Sequence, residues 1–144
     1  MKIKEACAEE IRKLRHKELR QGKPFSTTSY KRDNENETFH LACYINEKIV
    51  SCATFYPEEK EAFRAKKAYR LRGMATNKKY RKKGFGKRIM QEAFKKIKNK
   101  KGDLLWCNAR LIAVGFYKNL GFSTSGDLFN ILDIGPHYLM YKKL

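Results

Sequence analysis

The sequence contains no apolar run that approaches the roughly 20 residues a helix needs to cross a bilayer. Its first residues, Met1-Lys2-Ile3-Lys4-Glu5, also lack the apolar stretch of a signal peptide. We therefore expect a cytoplasmic protein that has no membrane partner. The chain has 144 residues, of which 42% are hydrophobic, and it includes 9 Phe and 8 Tyr. This length and composition predict one domain, residues 1–144, with a core of its own.

Cysteine is scarce and is not arranged as a set of metal ligands. The sequence has 4 cysteines, none of them in a C-x-x-C pair and each among apolar residues: Cys7, Cys43, Cys52 and Cys107. Metal sites need such pairs, or histidine clusters, at ligand spacing. We therefore predict no metal, and cysteines that stay reduced and serve as small core residues.

Acidic residues are few in comparison with basic ones. The chain has 33 Lys+Arg against 15 Asp+Glu, which gives a formal net charge of +18. Such an excess suits nucleic acid, anionic lipid or another polyanionic ligand, and it also arises as a compositional habit of the source organism. The basic residues are spread along the chain, without an RNA-binding aromatic motif or a helix-turn-helix signature. Nucleic acid is therefore a disfavoured partner that the charge alone does not exclude.

The hydrophobic pattern predicts strands that alternate with helices. Strand-like segments occupy residues 1–6, 38–45, 49–56, 68–76, 104–107, 122–131 and 137–143. Helical spacing marks residues 8–20, the segment after Phe85 and residues 109–120. An early hairpin followed by a strand–helix–strand unit predicts a mixed α/β (α+β) fold, in which helices cover both faces of one sheet.

A basic turn lies between the fourth predicted strand and the helix that follows it. Its sequence, residues 81–87, is Arg81-Lys82-Lys83-Gly84-Phe85-Gly86-Lys87. The first N–H groups of a helix have no intrahelical partner, and the helix dipole adds partial positive charge there. Glycine lets the backbone approach a phosphate closely. We therefore predict that this turn, with its four cations, is a cradle for pyrophosphate.

Two motifs resemble a known family. The first is the pattern Arg or Gln, two residues, Gly, one residue, Gly or Ala, which Arg81-Lys82-Lys83-Gly84-Phe85-Gly86 matches. The second is an Asn at the end of a strand, followed by a helix that carries a Phe-Tyr pair and then Gly-Phe. The matching residues are Asn108-Ala109-Arg110, Ala113 and Phe116-Tyr117-Lys118-Asn119-Leu120-Gly121-Phe122. Over nearly its whole length the chain resembles small, single-domain bacterial members of the GNAT superfamily of acetyl-CoA-dependent N-acetyltransferases. The resemblance implies a twisted, mostly antiparallel mixed sheet of six to seven strands, with a splayed central strand pair.

The resemblance also implies a site for acetyl-CoA as cosubstrate, in a gap between the strand ending at Thr76 and the strand ending at Cys107. Backbone groups of Met74, Ala75 and Thr76 would pair with the pantetheine arm, as a peptide adds to a sheet edge. Amides from Lys82 to Lys87 would hold the pyrophosphate. The charge-assisted contacts and the backbone donors would come from Arg81, Lys82, Lys83, Gly84, Phe85, Gly86 and Lys87. Asn108 either caps the helix that follows it or contacts the cofactor.

The implied chemistry is direct attack of a neutral amine on the thioester carbonyl. A backbone N–H of Met74 or Ala75 would stabilise the oxyanion. Tyr117 stands where the family's general acid protonates the thiolate. His137 is our candidate base, although it also suits a structural role. The strand up to Thr76 has no carboxylate, where some relatives carry their base, and a water relay is an alternative.

The acceptor would be a primary amine of a small molecule, or of a protein or peptide. Arg70 and Arg72 alternate on one face of their strand. They either face solvent or reach the acceptor, where they would favour a substrate that carries a carboxylate or phosphate. The alternatives are a nucleic-acid-binding module and a GNAT-like protein that binds acyl-CoA without transferring the acyl group. Dimers are frequent in the family, and we therefore consider a homodimer.

Overall fold

The computed structural model describes all residues, 1–144. Its strands and α-helices are, in chain order, β1 (Lys2–Ala6), α1 (Ala8–Leu19), β2 (Phe39–Ile45), β3 (Lys48–Pro57), β4 (Ala68–Thr76), α2 (Phe85–Asn99), β5 (Leu104–Arg110), α3 (Val114–Asn119), β6 (Ser123–Ile131) and β7 (Gly135–Lys143). Short 3-10 turns occupy Phe25–Thr28, Lys78–Tyr80 and Leu111–Ala113. No helix combines the length and the apolar character needed to cross a membrane.

The seven strands form one sheet in the order β1-β2-β3-β4-β5-β7-β6. The β1–β2, β2–β3, β5–β7 and β6–β7 ladders are antiparallel, whereas the β4–β5 ladder is parallel. This parallel ladder joins only three residue pairs, Ala68↔Leu104, Tyr69↔Leu105 and Arg70↔Trp106, although both strands continue beyond it. The predicted mixed, mostly antiparallel sheet is confirmed.

The chain divides into two compact units. The first unit comprises Met1–Tyr56 and Leu71–Lys96, and the second comprises Pro57–Arg70 and Ile97–Leu144. Strand β4 therefore begins in the second unit and ends in the first. The single domain expected from the length of the chain stays a prediction.

The core of the first unit forms where α1 meets the sheet. Ile11 and Leu14 of α1 pack against Ala42, Cys52 and Ala75, one residue from each of β2, β3 and β4. Burial raises the pKa of the Cys52 thiol to about 12, so this thiol stays protonated and packs as a small apolar group.

The cysteines depart from expectation at one position. Cys43, Cys52 and Cys107 are buried and unpaired, as predicted, but Cys7 is exposed. Cys7 lies at the N-cap of α1, where its N–H donates to Glu10 Oε1 at 2.9 Å. Cys7 therefore contributes a backbone hydrogen bond at the start of the helix, and its side chain does not pack in the core.

The core of the second unit forms around the start of β4 and β5. Ala68, Leu104 and Trp106 cluster there, with Phe63, Ala65, Leu139 and Tyr141 packed against them. Asp103 accepts the N–H groups of Lys66 and Lys67 at 2.9 and 3.0 Å. These bonds bring the residues that precede β4 alongside the start of β5.

The helix expected over residues 109–120 is shorter in the structure. Strand β5 extends to Arg110, because Asn108 to Arg110 pair with β7, and a 3-10 turn then precedes α3. Ile112 lies in this turn and is 91% exposed. Tertiary strand pairing thus overrides the local helical pattern.

Candidate functional site

The basic turn of residues 81–87 belongs to the first unit and ends in α2. Lys82 and Gly84 have φ of +61° and +85°, whereas Lys83 between them does not have positive φ. The N–H of Arg88 donates to the Gly84 carbonyl at 3.1 Å, which starts the helix. No atom lies within 4 Å of a Cβ placed on Gly84. The backbone conformation, rather than a lack of space, therefore favours glycine at this position.

The amides of Lys82 to Lys87 have no hydrogen-bond acceptor within the protein. They lie at the positive end of a 15-residue helix. Alternation of left- and right-handed residues turns successive N–H groups toward one concave side, as in anion-binding nests. Most side chains around them are exposed cations. These features fit phosphate groups, which accept several hydrogen bonds and carry negative charge.

Arg81 links the turn to α1 through Glu18. The Glu18 carboxylate accepts from Arg81 Nη2 at 2.8 Å and from the Lys78 amide at 3.2 Å. Its side chain is only 2% exposed, whereas that of Arg81 is 48% exposed. Arg81 Nε also donates to the Thr76 carbonyl at 3.3 Å. The residue predicted to contact phosphate therefore also holds the end of β4 and the turn in place.

Our sequence interpretation missed Glu18. It lies in the last turn of α1, where the negative end of the helix dipole disfavours a carboxylate. An acid at such a position indicates a cationic partner, but sequence does not identify Arg81, which is 63 residues away. This conflict with the helix dipole is the signal that could have revealed it.

Strand β4 bends at Gly73, just before Met74, Ala75 and Thr76. Gly73 has φ of +64° within the strand, a conformation typical of β-bulges. A Cβ on Gly73 would lie 3.0 Å from the Tyr30 ring and 3.2 Å from Arg15 Nε. Both φ and close packing therefore favour glycine. The sequence predicted an uninterrupted strand here and missed the bend.

The carbonyl groups at the end of β4 are held by side chains of the first unit. Ser51 Oγ donates to the Ala75 carbonyl at 3.2 Å and lies 2.7 Å from Thr76 Oγ1. Each carbonyl oxygen has a second lone pair available, because one donor occupies only one of two acceptor positions. The segment is therefore fixed in place before any ligand binds.

A buried polar network lies beneath the bend. Arg15 is fully buried and bonds both carboxylate oxygens of Asp33, at 2.7 and 2.9 Å. It also donates to the Thr28 carbonyl at 2.8 Å and to Thr54 Oγ1 at 2.6 Å. His40 Nε2 donates to the Asp33 carbonyl at 2.9 Å, so in the neutral ring Nδ1 accepts from Thr54 Oγ1 at 2.8 Å. None of these contacts was predicted.

The network shifts two pKa values in the same direction. Burial opposes the charge on Asp33, but hydrogen bonds from Arg15 and the Tyr30 amide outweigh burial and hold the pKa of Asp33 below its usual value. For His40, burial dominates and lowers the pKa. The network therefore favours an ionised Asp33 and a neutral His40.

Arg70 and Arg72, both predicted substrate residues, have different partners. Arg70, in the second unit, pairs with Glu58 at 3.2 Å and lies 4.8 Å from the Trp106 ring centroid. Arg72, in the first unit, lies 4.1 Å from the Tyr30 ring centroid and has no acidic partner. The alternation in sequence therefore conceals two different environments.

Tyr117 of α3 lies in the second unit, between aromatic neighbours. It is 5% exposed, and its ring centroid lies 5.1 Å from that of Phe116 and 5.3 Å from that of Phe122. Burial, with a smaller contribution from Cys107, raises the pKa of Tyr117 well above its usual value. Its hydroxyl has no protein partner. The hydroxyl therefore stays protonated near neutral pH and keeps a hydrogen atom available for a hydrogen-bond acceptor.

Asn108 and His137 both lie in strands of the second unit. Asn108 in β5 pairs with Leu139 in β7, and Arg110 occupies the N-cap position of the following turn. The capping role considered for Asn108 is therefore wrong. His137 is 4% exposed, and its Nδ1 donates to the Gly135 carbonyl at 2.8 Å. This bond leaves Nε2 of the neutral ring as a proton acceptor.

Comparison with known proteins gives a family match and a curated relative. The model of the family described as "Acetyltransferase (GNAT) family" matches residues 8–122. A protein of Bacillus subtilis (strain 168), "Uncharacterized N-acetyltransferase YitI", is 34% identical over 144 residues, which cover 100% of this chain and 97% of the relative.

Solved structures share the fold at low sequence identity. An aminoglycoside 6'-N-acetyltransferase complexed with coenzyme A has a TM-score of 0.78 and 14% identity, over 99% of this chain and 97% of its own. A chain of the NatC complex bound to Gag peptide and CoA has a TM-score of 0.75 and 16% identity, over 100% of this chain and 99% of its own. At these identities the likeness concerns the fold, and it spans essentially the whole length of both chains.

Proposed function

The chain belongs to the GNAT family of acetyltransferases and is an acyltransferase, and we propose that it moves an acetyl group from acetyl-CoA to a primary amine of a small molecule, protein or peptide by direct transfer. One observation carries the choice of donor. Six consecutive amides without acceptors, from Lys82 to Lys87, lie at the start of α2. They provide the donors and the positive potential that a pyrophosphate requires.

In this proposal the first unit binds most of the coenzyme. Amides of residues 82–87 bond the pyrophosphate, and Arg81 and the neighbouring lysines add charge-assisted contacts. The backbone of Met74, Ala75 and Thr76 pairs with the pantetheine arm. The fixed carbonyls of Ala75 and Thr76 support this role, because a strand that is already ordered loses little entropy on binding. Asn108 adds a contact from its side chain, which has no partner within the protein.

The proposed reaction needs three groups from the chain. The lone pair of the neutral amine attacks the thioester carbonyl carbon, while the N–H of Met74 or Ala75 stabilises the developing oxyanion. The carbon–sulfur bond then breaks, and the thiolate takes a proton from Tyr117. His137 Nε2 accepts the proton of the amine, directly or through water. The unpartnered hydroxyl of Tyr117 and the free Nε2 of His137 support these roles.

We further propose that residues 1–144 form a single N-acetyltransferase domain. The family match over residues 8–122 includes residues of both units. Limited proteolysis would test this proposal, because two independent domains would survive cleavage as separate folded fragments.

Thermal unfolding with acetyl-CoA tests the proposed donor, and CoA release across amine classes tests the transfer. Saturating ligand at 100 times Kd should stabilise the fold by about 2.7 kcal/mol. Gly84→Ala should weaken binding, because alanine disfavours the positive φ of the turn. The matched control is Gly126→Ala, which changes a residue in β6 with φ of +75° and similarly open surroundings. Absence of any shift with acetyl-CoA would refute the proposal, and binding without CoA release would favour the non-catalytic alternative.

A further inference from the structure

The arginine pair of β4 presents one neutralised charge and one available charge. Glu58 neutralises Arg70 at 3.2 Å. Arg72 is only partly buried, and its guanidinium has neither a carboxylate nor any other hydrogen-bond acceptor in the structure. A guanidinium carries five N–H donors, so Arg72 keeps its full capacity to bind an anion.

Tyr30 holds this guanidinium in a fixed place. The Tyr30 amide donates to Asp33 Oδ2 at 3.0 Å, and its carbonyl accepts from the Asp33 amide at 3.1 Å. Arg72 Cζ lies 4.1 Å from the Tyr30 ring centroid, and Arg15 Cζ lies 3.8 Å from it. A guanidinium that lies over an aromatic ring contacts it through its π system, which leaves N–H groups for a ligand. The Tyr30 hydroxyl also has no protein partner.

The charges around Tyr30 favour an anion. Asp33 neutralises Arg15 through two hydrogen bonds. Arg72 therefore remains as a net positive charge, and Arg20, whose Cζ lies 5.8 Å from the Tyr30 ring centroid, adds to the positive potential. A ligand group placed here gains from negative charge and from the ability to accept several hydrogen bonds.

We infer that Arg72, with the Tyr30 hydroxyl, binds an oxyanion, a carboxylate or a phosphate, carried by the acceptor amine. The inference deepens the proposed function and rests on it, because Arg72 precedes Met74 by two residues in β4. Two residues span at most about 7 Å, so an oxyanion held by Arg72 leaves an attached amine within reach of the thioester proposed to lie at Met74. The substrate class is therefore an anionic amine, such as an amino acid, rather than a purely cationic amine.

Matched amine pairs test this inference in the CoA-release assay with the whole chain. One arm compares amino acids with their carboxamides, and the other compares phosphoethanolamine with ethanolamine. The wild-type kcat/KM should be about 10- to 100-fold higher for the anionic member of one pair, as expected for hydrogen bonds to a charged group. The arm that shows the preference identifies the oxyanion as carboxylate or phosphate.

Variants identify the residue responsible. Arg72→Gln should abolish the preference by raising KM for the anionic amine, while the neutral member of the pair keeps its kcat/KM. Tyr30→Phe keeps the stacked ring and should reduce the preference only in part. Arg70→Gln is the matched control and should keep the preference. Unchanged thermal midpoints and unchanged stabilisation by acetyl-CoA would show that the variants remain folded.

Two results would overturn the inference and leave the proposed function intact. One is an equal kcat/KM for both members of each pair. The other is an equal loss for both members in Arg72→Gln, which would indicate a structural role. If acetyl-CoA does not bind, the proposed function fails, and titration calorimetry of the anionic amines into wild type and Arg72→Gln decides the inference. Binding that Arg72→Gln abolishes would support it, and no binding to wild type would overturn it.

Discussion

The two units offer chemical groups of different kinds. The first unit offers backbone amides at the start of α2, supported by buried side chains such as Glu18 and Arg15. The second unit offers single side-chain groups, the Tyr117 hydroxyl and His137 Nε2. Tyr117 lies between aromatic rings, and His137 lies in a paired strand. A backbone N–H group remains when the side chain of its residue is replaced, whereas a side-chain hydroxyl is lost with the residue that carries it. We therefore expect binding to depend on the architecture of the first unit and turnover to depend on individual atoms of the second.

Tyr117→Phe should have the largest effect on activity. If it altered acetyl-CoA binding instead of turnover, the division between binding in the first unit and turnover in the second would be wrong. Loss of the hydroxyl removes the proposed proton donor, so kcat should fall by about 10²–10⁴-fold. The Kd for acetyl-CoA should stay the same, because the ring and its contacts with Phe116 and Phe122 remain. Single-turnover kinetics and a direct binding assay would separate the two quantities. An unchanged kcat would exclude Tyr117 as the general acid.

Asp33→Ala should give the largest effect on the stability of the first unit. It would leave the Arg15 guanidinium buried without its carboxylate partner, at a cost of about 3–5 kcal/mol. The exposed pair Arg32–Glu35 is the matched control, since Glu35→Ala should cost about 0–1 kcal/mol. Urea denaturation would measure both values. Similar values for the two variants would show that the network adds nothing beyond a surface ion pair.

Glu18→Ala should weaken acetyl-CoA binding without altering the amides that we propose bind the pyrophosphate. The variant releases Arg81 and the Lys78 amide, so the turn loses the contacts that order it. We expect Kd to rise by about 10-fold, since hydrogen bonds to charged groups contribute about 1.5–3 kcal/mol and water replaces part of that. Glu9→Ala, which removes an exposed partner of Arg12, is the control. Equal Kd values for both variants would show that the turn is ordered without Glu18.

The pH dependence of stability should show the smallest effect. The folded chain lowers the pKa of both His40 and Asp33, so the unfolded chain binds their protons more readily. Their stabilising contributions are complete above the unfolded pKa values and fall as pH drops, starting at about pH 6.5 for His40 and about pH 4 for Asp33. Stability curves between neutral pH and pH 5 should therefore slope downward toward acid. A His40→Gln variant that keeps the same slope would assign the effect to other groups.

Protonation of His40 has a specific structural consequence. A protonated ring donates from both nitrogens, and Thr54 Oγ1 would then face donors from both His40 and Arg15. The hydroxyl proton of Thr54 would lose its acceptor. Protonation of His40, which burial already disfavours, would therefore also cost this hydrogen bond.

The sequence by itself determined the family, the class of fold and the basic turn. These features depend on local signals, such as glycine at a residue with positive φ, unpaired amides at a helix start and apolar periodicity. Gly84 and the start of α2 therefore lie where the pattern of residues 81–87 predicted them. The predicted capping role of Asn108 and the predicted length of helix α3 were wrong, because both depended on non-local strand pairing.

Only the tertiary structure decided which charged side chains have partners. Arg70 and Arg72 look alike in sequence, yet one meets Glu58 and the other meets Tyr30. Arg15 reaches Thr54 across 39 residues, and Arg81 reaches Glu18 across 63. The charge on a side chain is a property of the residue, but its neutralisation depends on groups that folding brings from distant parts of the chain. The sequence therefore supplied the cations, and the fold selected Arg72 as one that remains available to a ligand.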